Sequence, residues 1–200
     1  MLLKSKKSNG RPHALSRTVR HFLHGLVLGI CCLVPLQSAT LERLSLDDMI
    51  QKSTAIVRAK VTGSYGGFAG SIIYTHYQLQ VSETYKGSAA TEVAVPGGVA
   101  GNLRQIFAGS PAFSAGDEYV FFLWTGKSGL TQVIGLTQGL FAIAPGAAAD
   151  PVVTRAASRE LMLDPGTARQ VQDQTLAMKL SDLKSRISST LSAAGKGAGK

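Results

Sequence analysis

Alternation of apolar and polar positions dominates the middle of this chain. The segment SIIYTHYQLQVSETYKG carries Ile73, Thr75, Tyr77, Leu79, Val81 and Tyr85 on one face, interrupted by Glu83. Tyr74, His76, Gln78, Gln80, Ser82 and Thr84 fall on the other. A period of two predicts a half-buried strand, and its length predicts a bend or bulge. Upstream, Val57, Ala59 and Val61 alternate with Arg58 and Lys60, which predicts a strand before the glycine-rich segment GSYGGFAG. That segment reads as a hairpin loop. Downstream, TEVAV and Arg104 to Phe107 are short candidate strands. Tyr119 to Trp124 is a continuous apolar run, as expected of a strand covered on both faces. Thr131 to Ile134 and Leu140 to Ile143 complete six or seven short strands separated by glycine-rich turns.

Two segments follow a helical period instead. Ser45 and Asp48 have the spacing of a capping box ahead of Leu46, Met49 and Ile50, which predicts a short helix from Leu46 to Lys52. After Pro145 the composition shifts. Residues 146–167 read as a linker, and Pro165 can start a helix. Leu176, Leu180, Leu183, Ile187 and Leu191 predict one amphipathic helix over 168–191, followed by a disordered tail at 192–200. No long helix separates the strands, so a small barrel or sandwich over 40–145 is favoured over an α/β fold.

The first 39 residues change the picture. Lys4, Lys6, Lys7, Arg11, Arg17 and Arg20 precede the apolar run FLHGLVLGICCLVPL, Phe22 to Leu36, and then Ser38 and Ala39. This order predicts a signal peptide cut near Ala39, with an uncleaved anchor as the alternative. The run has 15 residues, short of the ~20 that a spanning helix needs. Export to the periplasm, cell surface or medium follows. Cys31 and Cys32 both lie within the run, so cleavage leaves no thiol for disulfides, metal ligation or catalysis. Ile30 stands where a lipoprotein signal needs a small residue.

Charge narrows the partners. The formal net charge is +9, yet residues 40–150 hold seven basic and eight acidic side chains. Basicity sits in the two ends rather than on the expected domain, which argues against a nucleic-acid module. A protein partner is expected, with membrane contact only through the N-terminal segment if it is retained.

Three stretches carry a family resemblance: STAIVRAKV, YQLQVSETYKG ending on an aromatic-Lys-Gly turn, and FSAGDEYVFFL with its Gly-acid turn. In order and separation, over Ser53 to Ile143, they resemble the netrin-like domain shared by tissue inhibitors of metalloproteinases and related bacterial secreted proteins. The resemblance implies a mainly β chain with a small OB-like closed barrel, flanked here by a short N-terminal helix and an amphipathic C-terminal one. It transfers no functional residue. The animal inhibitors bind a catalytic metal through an N-terminal cysteine, and the matching region here has none.

The chemical inventory is thin. His76 is the one histidine after the leader, too few for a zinc site. Asp47-Asp48 suits the opening turn of a helix, and Asp117-Glu118 a tight turn. VPGGVAGN lacks the following helix that a phosphate loop requires. Neither a cofactor nor a metal is expected. Tyr65 and Phe68, in the glycine-rich segment, are the candidate contact residues. The favoured reading is an exported non-catalytic binding or accessory module. An inhibitor or partner of a secreted peptidase, and a hydrolase with an unfamiliar site near His76, stand as alternatives.

Overall fold

In the computed structural model, which describes residues 40–144 and 149–197, a short strand β1 (Thr40–Glu42) precedes helix α1 (Leu46–Lys52). The predicted capping box forms. The Ser45 side chain accepts from the Asp48 N–H at 3.1 Å, and the Asp48 carboxylate accepts from the Ser45 N–H at 3.2 Å. The signal peptide expected over residues 1–39, with Cys31, Cys32 and the expected cleavage near Ala39, falls outside the described residues.

The chain then builds a long hairpin from β2 (Ala55–Ala69) and β3 (Ile72–Lys86). Its turn is only Gly70-Ser71. Gly70 has φ +63° at the first central position, where a two-residue hairpin turn takes glycine. The segment expected as a loop, GSYGGFAG, is therefore strand as far as Ala69. Propensity disfavours glycine in strands, but the ladder to β3 overrides it from Gly63 to Ala69. Three register shifts interrupt the pairing. In one, Arg58 faces Glu83 while Ala59 faces Val81, so Ser82 is extra. This bulge moves Glu83 and Tyr85 to the face opposite Leu79 and Val81, correcting the single face expected for Tyr77 through Tyr85.

The remaining strands are β4 (Glu92–Pro96), β5 (Gly98–Ala100), β6 (Leu103–Gln105), β7 (Glu118–Thr125), β8 (Thr131–Val133), β9 (Leu140–Ile143), β10 (Val152–Arg155), β11 (Leu161–Leu163), β12 (Gln170–Val171) and β13 (Leu176–Lys179). Helix α2 (Leu180–Gly197) follows. The large antiparallel sheet runs β13-β10-β9-β7-β2-β3-β4, with β8 on β7. β4 packs beside β8, but no ladder joins them. The sheet curls without closing through hydrogen bonds, where a closed barrel was expected.

Two cores lie on the two faces. Val57, Ala59, Val61, Tyr77, Leu79, Val93, Phe121, Leu123 and Val133 fill the concave side. Met49, Ile50, Ile56, Val120, Phe122, Phe141, Val153, Leu183 and Ile187 form the layer between the convex side and both helices. The apolar run in β7 serves both, with Val120 and Phe122 on one face and Phe121 and Leu123 on the other, as its sequence predicts.

The C-terminal third departs furthest from expectation. The stretch 146–167, expected as a linker, contains β10 and β11. The helix begins at Leu180 rather than 168. Leu176 belongs to β13, which pairs with β10. Ala168 takes a left-handed φ of +52°, incompatible with a helix starting there. Asp150 accepts from the Ser181 N–H and hydroxyl, each at 2.9 Å, holding the first turn of α2 from a distant segment. The helix also continues through 192–197, part of the expected tail; Ala193 and Ala194 favour that continuation.

The aromatic-Lys-Gly turn is the joint between sheet and helices. Lys86 Nζ donates to the carbonyls of Ile50 and Gln51, at 2.7 and 2.8 Å, satisfying the end of α1. Gly87 has φ +67°, and a Cβ there would stand 2.1 Å from the Thr54 carbonyl oxygen. Asp47 grips α2 through a two-point contact with Arg186, at 2.8 and 2.6 Å. Asp117 caps its own turn by accepting from the Ser114 N–H, and Glu118 accepts from Arg58 Nε at 2.7 Å. Both acidic pairs are thus engaged in the framework.

Candidate functional site

Tyr65 and Phe68 sit three residues apart in an uninterrupted stretch of β2, so they point to opposite faces of the hairpin. Both are exposed, at 49% and 56%. The two residues expected as contacts are therefore placed apart by the structure, one on each face.

On the first face, Tyr65 is held from two sides. It lies opposite His76 in the ladder, and the two rings stack at 4.8 Å, only 7° from parallel. The Tyr65 hydroxyl donates to Glu92 Oε2 at 2.8 Å. His76 Nδ1 lies 2.8 Å from Glu92 Oε1. Burial pushes the Glu92 carboxyl up, but the bonds from His76 and Tyr65 outweigh it and hold the group below its ordinary value. An ionised carboxylate only accepts, so the proton of this bond belongs to Nδ1. The bond to Glu92, then burial and the nearby negative charge, raise the Tyr65 phenol. Tyr74 completes the cluster, its ring 6.5 Å from His76 and tilted by 58°. Gly67 lies beneath the imidazole; a Cβ there would come to 3.5 Å from Nε2.

Glu92 was not legible as a site residue. It meets His76 only because β4 pairs with β3 in a register that puts it opposite Gln78, diagonal to His76. His76 is therefore not isolated on a polar face. Its imidazole is oriented by a carboxylate and covered by a phenol, with its side chain only 13% exposed. Among the described residues, the side-chain hydrogen bond found at His76 is the one to Glu92, and the described His, Cys, Asp and Glu side chains form no group of three or more able to hold a metal ion.

On the second face, β5 and β6 pack against the far half of the hairpin. A Cβ on Gly66 would stand 1.8 Å from the Val99 carbonyl oxygen, so only glycine permits this approach. Gln105 stitches the turn: its Oε1 accepts from the Ile73 N–H at 2.6 Å, and its Nε2 donates to the Ser71 carbonyl at 3.2 Å. Thr75 Oγ1 donates to the Gly97 carbonyl at 2.8 Å. This end exposes Phe68, Val99, Leu103, Ile106 and Phe107. The last four escaped the sequence reading, although a signal exists: residues 93–116 carry one charge, Arg104, and residues 61–82 carry none among Asp, Glu, Lys and Arg.

Elsewhere, a cavity of about 580 Å³ opens over Tyr119, Leu140, Ala142 and Thr154, rimmed by Ser110 and Glu160. Among the described residues the buried Ser110 hydroxyl there finds no hydrogen-bond partner. Among the described residues no helix is long and apolar enough to cross a membrane.

These features define a class: a curled antiparallel sheet backed by two helices, extended by a long hairpin with two unlike exposed faces. The chain matches no protein-family model, no curated protein and no solved structure.

Proposed function

We propose that this protein is an exported, non-catalytic binding or accessory module that acts by protein contact outside the cytoplasmic membrane. The observation that carries the reading is the state of Tyr65. Half of this side chain faces water, yet its ring is stacked on His76 and its hydroxyl is tied to Glu92. An aromatic anchor fixed before binding loses little freedom on contact, the condition under which one tyrosine contributes strongly to an interface. His76 and Glu92 in this reading position Tyr65 rather than react.

The finer fold reading belongs to the same proposal. An OB-like, netrin-like fold whose barrel stays open at the β4–β8 seam is supported by β4 lying along β8 and by the three quoted stretches falling on adjacent strands β2, β3 and β7.

The test is quantitative recovery of partners from the exported fraction, comparing the wild-type chain with Tyr65→Ala. A specific protein should be recovered with wild type and fall at least about tenfold with the variant. Equal recovery from both, or a turnover activity abolished by His76→Ala, overturns the reading.

A further inference from the structure

The second face of the hairpin has a different chemistry, and we propose that it inserts shallowly into an anionic lipid surface. The inference goes beyond the protein contact at Tyr65 and uses other residues.

Three observations converge. First, Phe68, Val99, Leu103, Ile106 and Phe107 are exposed on neighbouring segments at the tip of the hairpin, Val99 and Leu103 on opposite faces of the β5–β6 ribbon, with Ile106 at 80%. The β2–β3 turn, the β5–β6 hairpin and the segment after it are held there by the Gln105 bridge and the Gly66–Val99 approach. Protein-binding patches combine Tyr, Trp, Phe, Met and Arg with about ten direct hydrogen bonds. This one is mostly aliphatic and phenyl, the composition of a surface that enters the acyl boundary of a bilayer.

Second, the charges fit. Arg104, exposed beside Val99 and Leu103, is the sole charged side chain in residues 93–116, and residues 61–82 add no acid. A lone cation among apolar side chains pairs with a lipid phosphate, and no carboxylate on these segments repels it.

Third, the backbone is prepared. Polar main-chain groups entering an apolar layer must be satisfied internally. The Ile73 N–H and the Ser71 carbonyl are both satisfied by Gln105, the Gly97 N–H donates to the Ile73 carbonyl at 2.7 Å, and its own carbonyl accepts from Thr75. The other polar side chain of the β5–β6 hairpin, Asn102, lies in its turn.

The experiment uses the full chain with vesicles of phosphatidylglycerol and phosphatidylethanolamine. In a Trp124→Phe background, an indole is introduced by Ile106→Trp or, as a remote control on the exposed face of α2, by Ser188→Trp. Brominated lipid should quench the indole at 106 and spare the one at 188. Phe68→Ser with Ile106→Ser should lower vesicle partitioning by about tenfold or more against wild type, the leader being common to both. Arg104→Gln should weaken binding to anionic but not to zwitterionic vesicles. Equal quenching at both positions, or no quenching at 106, overturns the proposal. So does self-association, or recovery of a soluble protein, that the same serine pair abolishes while vesicle binding is unchanged. Loss of Tyr65-dependent protein recovery leaves these readouts untouched, so the two readings fail separately.

Discussion

Leu183→Ala asks whether the C-terminal helix is an appendage or part of the core. Leu183 is 0% exposed and lies among Met49, Ile56, Phe122, Phe141 and Ile187. Removing its branched end takes apolar atoms out of a packed layer and leaves a cavity that sheet and helix cannot fully close. Such changes cost about 2–5 kcal/mol. We take about 3 kcal/mol, because α1 on one side can relax while the β7–β9 surface cannot. For a domain of this size each kcal/mol lowers Tm by roughly 2–4 °C, so the expected fall is about 6–12 °C. Urea unfolding followed by circular dichroism should show a lower midpoint with the slope unchanged. Ser188→Ala, at an exposed position one residue past Ile187, is the control and should shift stability by less than about 0.5 kcal/mol. If Leu183→Ala behaves like Ser188→Ala, the helix is not packed as described and the two-core account is wrong.

Asp173→Asn strands Arg155, whose side chain is 4% exposed and pairs with Asp173 at 2.7 Å; the expected loss is about 3–5 kcal/mol, and Arg155→Met with Asp173→Leu should recover most of it in the same denaturation assay. Burial alone would raise the Asp173 carboxyl, but bonds from the Ser158 N–H, from Arg155 and from the Gln174 backbone hold it below its ordinary value. A depressed folded pKa gives stability that is complete above the unfolded value near ~4 and is lost as pH falls through the folded one; Asp173→Asn should therefore flatten the acid limb of a stability-against-pH curve, and an unchanged limb would remove Asp173 from its cause. Gly66→Ala should push β5 off the hairpin, seen as large amide shift changes at Val99 and Ala100 with little change at Phe122. Lys86→Met should cost about 1–3 kcal/mol by leaving the Ile50 and Gln51 carbonyls without their charged donor; a neutral result would mean that water replaces it.

Pattern reading worked where one element decides its own burial. The Ser45–Asp48 cap is local, within four residues, and helix α1 runs on directly from it. The run in β7 is apolar on both faces because it lies mid-sheet under two cores, and no partner need be known to see that. Reading failed where a partner supplies the missing half. Arg155 falls in the stretch expected as a linker, and its buried place in β10 depends on Asp173 being brought to it. Leu176 and Met178 alternate as a strand would, yet they also fit the helical period that continues through Leu180 and Leu183, and only the edge offered by β10 selects the strand.

The same division holds at the surface. Tyr65 and Phe68 stand out in sequence because aromatics among glycines have few local neighbours to bury them. That Tyr65 is anchored by His76 and Glu92 while Phe68 joins Val99 and Ile106 on the opposite face depends on ladder register, and register is a relation between distant segments. The sequence by itself determined the short-range elements, the apolar faces of the central strands and the scarcity of charge around the hairpin, all properties of neighbouring residues. Only the tertiary structure decided the open seam between β4 and β8, the bulge that turns Tyr85 toward the helices and the partners of each exposed side chain, because those follow from long-range pairing that no local pattern encodes.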